Sequence, residues 1–91
     1  MKYIMNKYFI EFIGTLFFVF IFLETKNAIA IGCALIIAIM LGGPISGGNF
    51  NPAVSIIMFA LDKLPINDLI LYILAQVAGG IAALELYKRL N

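Results

Sequence analysis

The chain has 91 residues, of which 64% are hydrophobic and 12% are charged, and its formal net charge is +1. Soluble domains carry about 25% charged residues, so this composition indicates a membrane protein. A charge near zero without a basic patch gives no indication of nucleic-acid binding. The chain contains no histidine and one cysteine, Cys33, which argues against histidine-based catalysis, an internal disulfide and a metal site. We therefore expect no enzymatic activity, no cofactor and no metal ion.

Three long apolar segments follow one another along the chain, at residues 8–23, 28–41 and 69–86. Crossing a bilayer takes about 20 residues, fewer where the ends snorkel or the bilayer thins. The first and third segments are adequate when their flanks are counted, whereas the second is short. It gains length only if Ile45 and its neighbours continue as loop buried in protein. The pattern predicts a single-domain, all-α membrane protein with three transmembrane helices.

The N-terminus also has features of a secretory signal peptide. Lys2 and Lys7 precede an apolar core, and residues 28–30 have the small-x-small form of a cleavage site. However, Glu11 lies inside that core, and further apolar sequence follows the site at once. We therefore favour a retained first span over a cleaved signal.

Small residues recur at every fourth position on the second and third spans. They are Ala30, Ala34, Ala38 and Gly42 on the second span, and Ala75, Gly79 and Ala83 on the third. In lipid, helices associate by close van der Waals packing, which small residues four apart permit. We expect both stripes to face neighbouring helices.

Between the second and third spans lies a glycine-rich run, residues 42–50, followed by Asn51, Pro52 and Ala53. Asparagine can cap the free N–H groups of a helix, and proline fits the first helical position. The apolar stretch that follows, to Leu61, is too short to cross a membrane. Residues 42–61 are therefore predicted to form a re-entrant loop and a half-helix. The positive N-terminal end of such a helix points to the membrane midplane, where it can act on a polar species.

The segment Ser-Gly-Gly-Asn-Phe-Asn-Pro-Ala-Val-Ser at residues 46–55 closely resembles the first pore loop of aquaporins and aquaglyceroporins, the major intrinsic protein family. Three further motifs agree in order and spacing: residues 11–15 on the first span, 30–32 on the second and 75–80 on the third. The resemblance covers nearly the whole chain, but only the first half of a normal family member. A second repeat, with its own Asn-Pro-Ala and the arginine that follows it, is not found in these residues.

The resemblance implies roles for Glu11 and Gln76, two polar residues within the spans that are unfavourable to insert into a membrane. An ionisable group inside a span penalises insertion by about 2.5–3.5 kcal/mol, so it normally has a partner or a role. In the family the corresponding residues brace the pore loops through the loop backbone. Here Glu11 would receive N–H groups from the region of Gly47, Gly48 and Asn49. The structural alternative is that Glu11 lies at the interface near Lys7 and snorkels.

The resemblance also implies a pore lined by Gly48, Asn49, the Asn51-Pro52-Ala53 motif and Ile31. The Asn51 oxygen can cap its helix while its NH2 group donates to a passing water or hydroxyl oxygen. Asn49 stands where the family often has histidine, so titration near neutral pH is lost at that position. Water-selective members often have an aromatic residue that narrows the outer pore, and this chain has the smaller Ile31 at that position.

A single copy cannot form the family's pore, because the N–H groups of its half-helix would face lipid. The family sets two repeats in inverted orientation, so that two half-helices meet at the midplane. Three spans place Lys2, Lys7 and Lys63 on one side of the membrane, and Lys26, Lys88 and Arg89 on the other. This balance gives almost no preferred orientation. The favoured prediction is therefore an inverted homodimer that passes water, with small neutral solutes such as glycerol as further candidate permeants. A non-conducting accessory subunit, assembled with a full-length channel or a separate second half, and a degenerate fragment remain as alternatives.

Overall fold

The computed structural model describes residues 6–91, which form four α-helices and no strand. The helices are α1 (Lys7–Thr25), α2 (Ala28–Ser46), α3 (Pro52–Ala60) and α4 (Ile66–Leu90). Three of them, α1, α2 and α4, are long and apolar enough to cross a membrane. The molecule measures 40 × 25 × 23 Å, so its long axis exceeds the roughly 30 Å hydrocarbon core of a bilayer. The predicted all-α membrane fold, with three spans and one short helix, is confirmed.

Local capping explains where the first two helices begin and end. Asn6 Oδ1 accepts the Phe9 N–H at 2.8 Å, and Asn27 Oδ1 accepts the Ala30 N–H at 2.9 Å. Lys26, with φ of 47°, closes α1, and only Lys26 and Asn27 separate it from α2. A connection this short makes α1 and α2 antiparallel neighbours.

The second span is longer than its sequence pattern predicts. Residues 42–46 continue α2 as helix to Ser46, although we expected the loop to start at Gly42. Pro44 removes one backbone N–H donor and therefore one helical hydrogen bond. An irregular backbone in hydrocarbon would leave more groups without hydrogen bonds, so the helix continues past Pro44. The helix ends only at Gly47, where φ of 93° allows a left-handed cap whose N–H donates to the Gly43 carbonyl at 2.8 Å.

Helix α1 lies between α2 and α4, and α3 packs on α4. Most residues of the two small-residue stripes are buried, including Ala38 on α2 and Gly79 on α4, whereas Ala30 and Ala75 are half-buried. Phe50, 1% exposed, fills the space between α1 and α2. A Cβ atom added at Gly14 would lie 2.2 Å from the Phe50 ring, and one added at Gly42 would lie 3.0 Å from it. Both glycines are therefore needed to admit this ring.

Candidate functional site

The site is built around the first turn of α3. Asn51 has extended backbone angles, φ of −161° and ψ of 125°, and its Oδ1 accepts the Ala53 N–H at 2.8 Å. Pro52 follows as the first helical residue, where its missing N–H costs nothing. Asn51 is exposed, and its Nδ2 donates to no acceptor within residues 6–91. The side chain thus caps the helix with its oxygen and leaves its NH2 group free to donate.

The loop that leads to Asn51 has an unusual backbone. Gly47, Gly48 and Phe50 all have positive φ, at 93°, 67° and 54°. Glycine adopts this conformation freely, whereas for Phe50 it costs about 1–2 kcal/mol. The burial of the Phe50 ring and a bond from its N–H to Glu11 Oε1 at 2.7 Å hold it there.

Glu11 is fully buried, and four donors converge on its carboxylate. Oε2 accepts the Ser46 hydroxyl at 2.7 Å and the Asn49 N–H at 3.1 Å. Oε1 accepts the Phe50 N–H at 2.7 Å and Gln76 Nε2 at 2.9 Å. In all four bonds the carboxyl oxygens of Glu11 are the acceptors. The arrangement ties α1 to the loop, to the end of α2 and to α4.

A second set of bonds holds α3 itself. Ser55 is fully buried, and its hydroxyl oxygen accepts Asn49 Nδ2 at 2.8 Å and Gln76 Nε2 at 2.9 Å. The two protons of the Gln76 amide are therefore divided between Glu11 and Ser55. Because a carboxylate cannot donate, the amide nitrogen of Gln76 must face Glu11, which fixes the orientation of this side chain.

A cleft of about 260 Å³ opens beside Asn51 and Pro52, between α1 and α4. Thr15 and Gln76 contribute to its wall. Thr15 Oγ1 and Gln76 Oε1 are the two buried side-chain polar atoms of the described part of the chain that have no hydrogen-bond partner. Asn51, Thr15 and Gln76 are the polar side chains of the cleft, and its other lining residues are apolar or glycine.

A separate polar cluster joins the first turns of α1 and α4. Lys7 Nζ lies 2.6 Å from Asp68 Oδ2, and the Tyr8 hydroxyl donates to Asp68 Oδ1 at 2.7 Å. Tyr72 packs edge-on against Tyr8 and donates to the Ser46 carbonyl at 2.6 Å. These contacts join the first turns of α1 and α4 to each other and to the end of α2 at Ser46.

The structure brings together most of the residues that the sequence singled out. Glu11, Gln76 and Asn49 share one hydrogen-bonded cluster, and Gly48 lies beside it with its N–H donating to Ser46 Oγ at 3.2 Å. Asn51, Pro52 and Ala53 start α3. Ile31 does not join them: it lies fifteen residues before the end of α2, about 22 Å along the axis at 1.5 Å per residue.

Three details differ from the roles expected. Of the two backbone donors to Glu11, Asn49 lies in the expected region and Phe50 lies one position beyond it. The side chain of Gln76 bonds to two other side chains, and no bond joins it to loop backbone within residues 6–91. Asn49 is buried, and its amide is directed to Ser55.

Sequence reasoning did not identify Ser46 or Ser55 as part of the site. One signal was available for Ser55, because it is the sole polar residue in the apolar stretch 53–61. For Ser46 there was none, since its role depends on α2 extending past the glycines.

Comparison with known proteins places these features in one family. The sequence profile named Major intrinsic protein matches residues 23–91. The chain is 41% identical over 88 residues to glycerol uptake facilitator protein-like 6 of Lactiplantibacillus plantarum, a match that covers 87% of this chain and 41% of that protein. It is 43% identical over 60 residues to aquaglyceroporin AqpS of Rhizobium meliloti, covering 66% of this chain and 26% of that protein.

A third relative is aquaporin Z of Brucella melitensis, 48% identical over 56 residues, which are 62% of this chain and 25% of that protein. The chain thus spans between a quarter and about two fifths of the length of these relatives. No solved structure matches it significantly.

Proposed function

Because the chain belongs to the major intrinsic protein family, we propose that it forms half of a transmembrane channel for water and small neutral solutes such as glycerol. The observation that carries the proposal is the free NH2 group of Asn51 at the exposed tip of α3. In a dry interior an unpaired amide would cost about 2–7 kcal/mol, so it requires an acceptor. A water or hydroxyl oxygen passing the tip supplies one.

The electrostatics of the tip favour neutral permeants. The first N–H groups of α3 and its helix dipole make this end positive, which disfavours cations and hydronium at the same point. Selectivity by size should be loose, because Ile31 is smaller than an aromatic residue and has no donor. The similar proteins include an aquaporin, an aquaglyceroporin and a glycerol uptake facilitator-like protein, which supports the same pair of permeants.

We further propose that the other half of the pore is a second copy of this chain in inverted orientation. The tip of α3 and the cleft beside it are open, and a second half-helix that met them would cover the exposed N–H groups. The equal numbers of positive residues on the two sides permit both orientations. Lys2, one of those residues, lies outside the part that the structure describes.

Water flux into liposomes tests the channel. Purified wild-type protein should raise osmotic permeability above that of empty vesicles without a proton current. Asn51→Leu should abolish the flux, since the donor at the tip is lost. Asn67→Leu is the matched control, because Asn67 is exposed at the start of α4 and outside the site. Wild-type permeability equal to that of empty vesicles would refute the proposal.

Topology mapping tests the inverted assembly separately. A reporter at the C-terminus should be detected on both sides of the membrane, and two lysines added near Asn91 should shift the ratio. If every copy has one orientation, the inverted homodimer is wrong, and a separate second-half subunit must complete the pore.

A further inference from the structure

Helix α3 is held within the chain by a polar side chain rather than by apolar packing. Of its nine residues only Ser55 is buried. The large apolar residues around it face outward, with Val54, Ile56 and Ile57 between 41% and 58% exposed. Among its other residues only Pro52 and Met58 are half-buried, so few apolar contacts within one copy fix how α3 is rotated about its axis.

The hydrogen bonds through Ser55 close a ring that does fix this rotation. Asn49 Nδ2 and Gln76 Nε2 both donate to Ser55 Oγ, at 2.8 and 2.9 Å. Gln76 Nε2 also donates to Glu11 Oε1 at 2.9 Å, and Glu11 Oε2 accepts the Asn49 N–H at 3.1 Å. The ring joins one residue each from α1, the loop, α3 and α4.

The hydroxyl oxygen of Ser55 is the only atom of α3 that accepts a hydrogen bond in this ring. A hydroxyl oxygen has two lone pairs, and Asn49 and Gln76 occupy both. Removing the hydroxyl leaves two buried N–H groups without their acceptor at once, and a buried donor without a partner is costly. The effect of such a change should therefore exceed that of losing one surface bond.

We infer that Ser55 is a positioning residue that sets the rotation of α3 and thereby the place of the Asn51 amide. The two residues are one helical turn apart, and the Ser55 N–H donates to the Asn51 carbonyl at 3.1 Å. A side chain ends about 5–6 Å from a helix axis, so a rotation of about 20° moves it by about 2 Å. Hydrogen bonds tolerate only about 0.5 Å, so this rotation removes Asn51 from its permeant.

The inference rests on the proposed function only in its consequence for permeation, so its test includes a readout that needs no conduction. The chain contains three valines: Val19 in α1, Val54 in α3 and Val77 in α4. In oriented bilayers, solid-state NMR of ¹⁵N-valine-labelled protein reports the orientation of each helix from one resonance. Val54 reports α3, and Val19 and Val77 are internal references.

The decisive variants for NMR are Ser55→Thr and Ser55→Ala, which keep and remove the hydroxyl without adding a labelled valine. We expect the Val54 resonance to shift in Ser55→Ala and to stay in place in Ser55→Thr, with the references unmoved in both. Ser55→Val, which has nearly the shape of Ser55→Thr but adds a fourth valine, is used for the permeability measurement only. Water permeability should fall about tenfold in the variants without the hydroxyl, the size expected when one hydrogen bond is lost along the path.

Two results would overturn the inference. An unmoved Val54 resonance in Ser55→Ala would show that packing fixes α3 without the ring. A shift of all three resonances would make Ser55 a general stability residue. If the wild type does not conduct, the proposed function fails, while the NMR comparison still decides the role of Ser55.

Discussion

We expect the substitution Gly79→Ala to separate α1 from α4 and to destabilise the protein. A Cβ atom at Gly79 would lie 2.4 Å from the Phe12 carbonyl oxygen and 3.2 Å from the Leu16 backbone nitrogen. Both atoms belong to the backbone of α1, so no side-chain rotation can relieve the contact. The two helices must move apart instead.

The size of the effect follows from that movement. Restoring an ordinary contact of about 3.4 Å requires a separation of about 1 Å, which forfeits a quarter to a half of the local dispersion energy. Overpacking of this kind typically costs about 1–3 kcal/mol. The movement also strains the bond from Gln76 to Glu11, now 2.9 Å long, because Gln76 lies one turn before Gly79. A bond stretched by the full movement would exceed the usual limit of about 3.2 Å.

Gly80→Ala is the matched control, since a Cβ atom there meets nothing within 4 Å. Both substitutions gain about the same helix propensity, about 1 kcal/mol, so their difference isolates the steric cost. Unfolding in SDS, followed by circular dichroism, measures the two free energies of unfolding. Gly79→Ala should be less stable than Gly80→Ala by about 1–3 kcal/mol. Equal stabilities would refute the close approach of α1 and α4 at this position.

Three further predictions concern other parts of the molecule. Glu11→Gln should lower the free energy of unfolding by about 3 kcal/mol or more, because an amide cannot accept hydrogen bonds from all four donors. The exposed control, Glu85→Gln, should change it by about 0.5 kcal/mol at most. Asp68→Ala should lower the free energy of unfolding by about 1–3 kcal/mol, and Lys7→Ala should lower it by about 0–1 kcal/mol. Asp68 is the more buried partner of this ion pair and also accepts the Tyr8 hydroxyl. Equal losses of stability in thermal unfolding would contradict this prediction. Ile31→Phe should reduce glycerol flux more than water flux in liposome swelling, because a larger side chain would narrow the mouth of the proposed pore. A parallel fall of both fluxes would show that Ile31 does not set the size limit.

Features that depend on neighbouring residues could be predicted from the sequence. The three spans follow from apolar length, and the start of α3 follows from the capping chemistry of Asn51 and the fixed φ of Pro52. The predicted end of α2 at Leu41 differs from the observed end at Ser46 for an identifiable reason. In water, Gly-Gly-Pro usually ends a helix, but in hydrocarbon the backbone must bond to itself wherever it can.

Features that depend on residues far apart in sequence could not be predicted. Nothing near Lys7 indicates that it meets Asp68, 61 positions later. Likewise, the pairing of Gln76 with Ser55 depends on how α3 folds back on α4. The family resemblance predicted that loop N–H groups around Asn49 donate to Glu11, but it predicted neither the Phe50 donor nor the side-chain partners of Gln76. Those contacts follow from packing, which a single sequence does not encode in any local pattern.

The contacts in this chain depend on one another in a definite order. The carboxylate of Glu11 can be buried only when donors from the loop, α2 and α4 all reach it, because an uncompensated charge in lipid is costly. Gln76 reaches it only if α4 lies close to α1, and the absent side chain of Gly79 makes that approach possible. Ser55 in turn depends on Gln76 for one of its two bonds. The placement of the half-helix therefore follows from the packing of two spanning helices, although the three atoms nearest to a methyl group at Gly79 all belong to α1 rather than to α3.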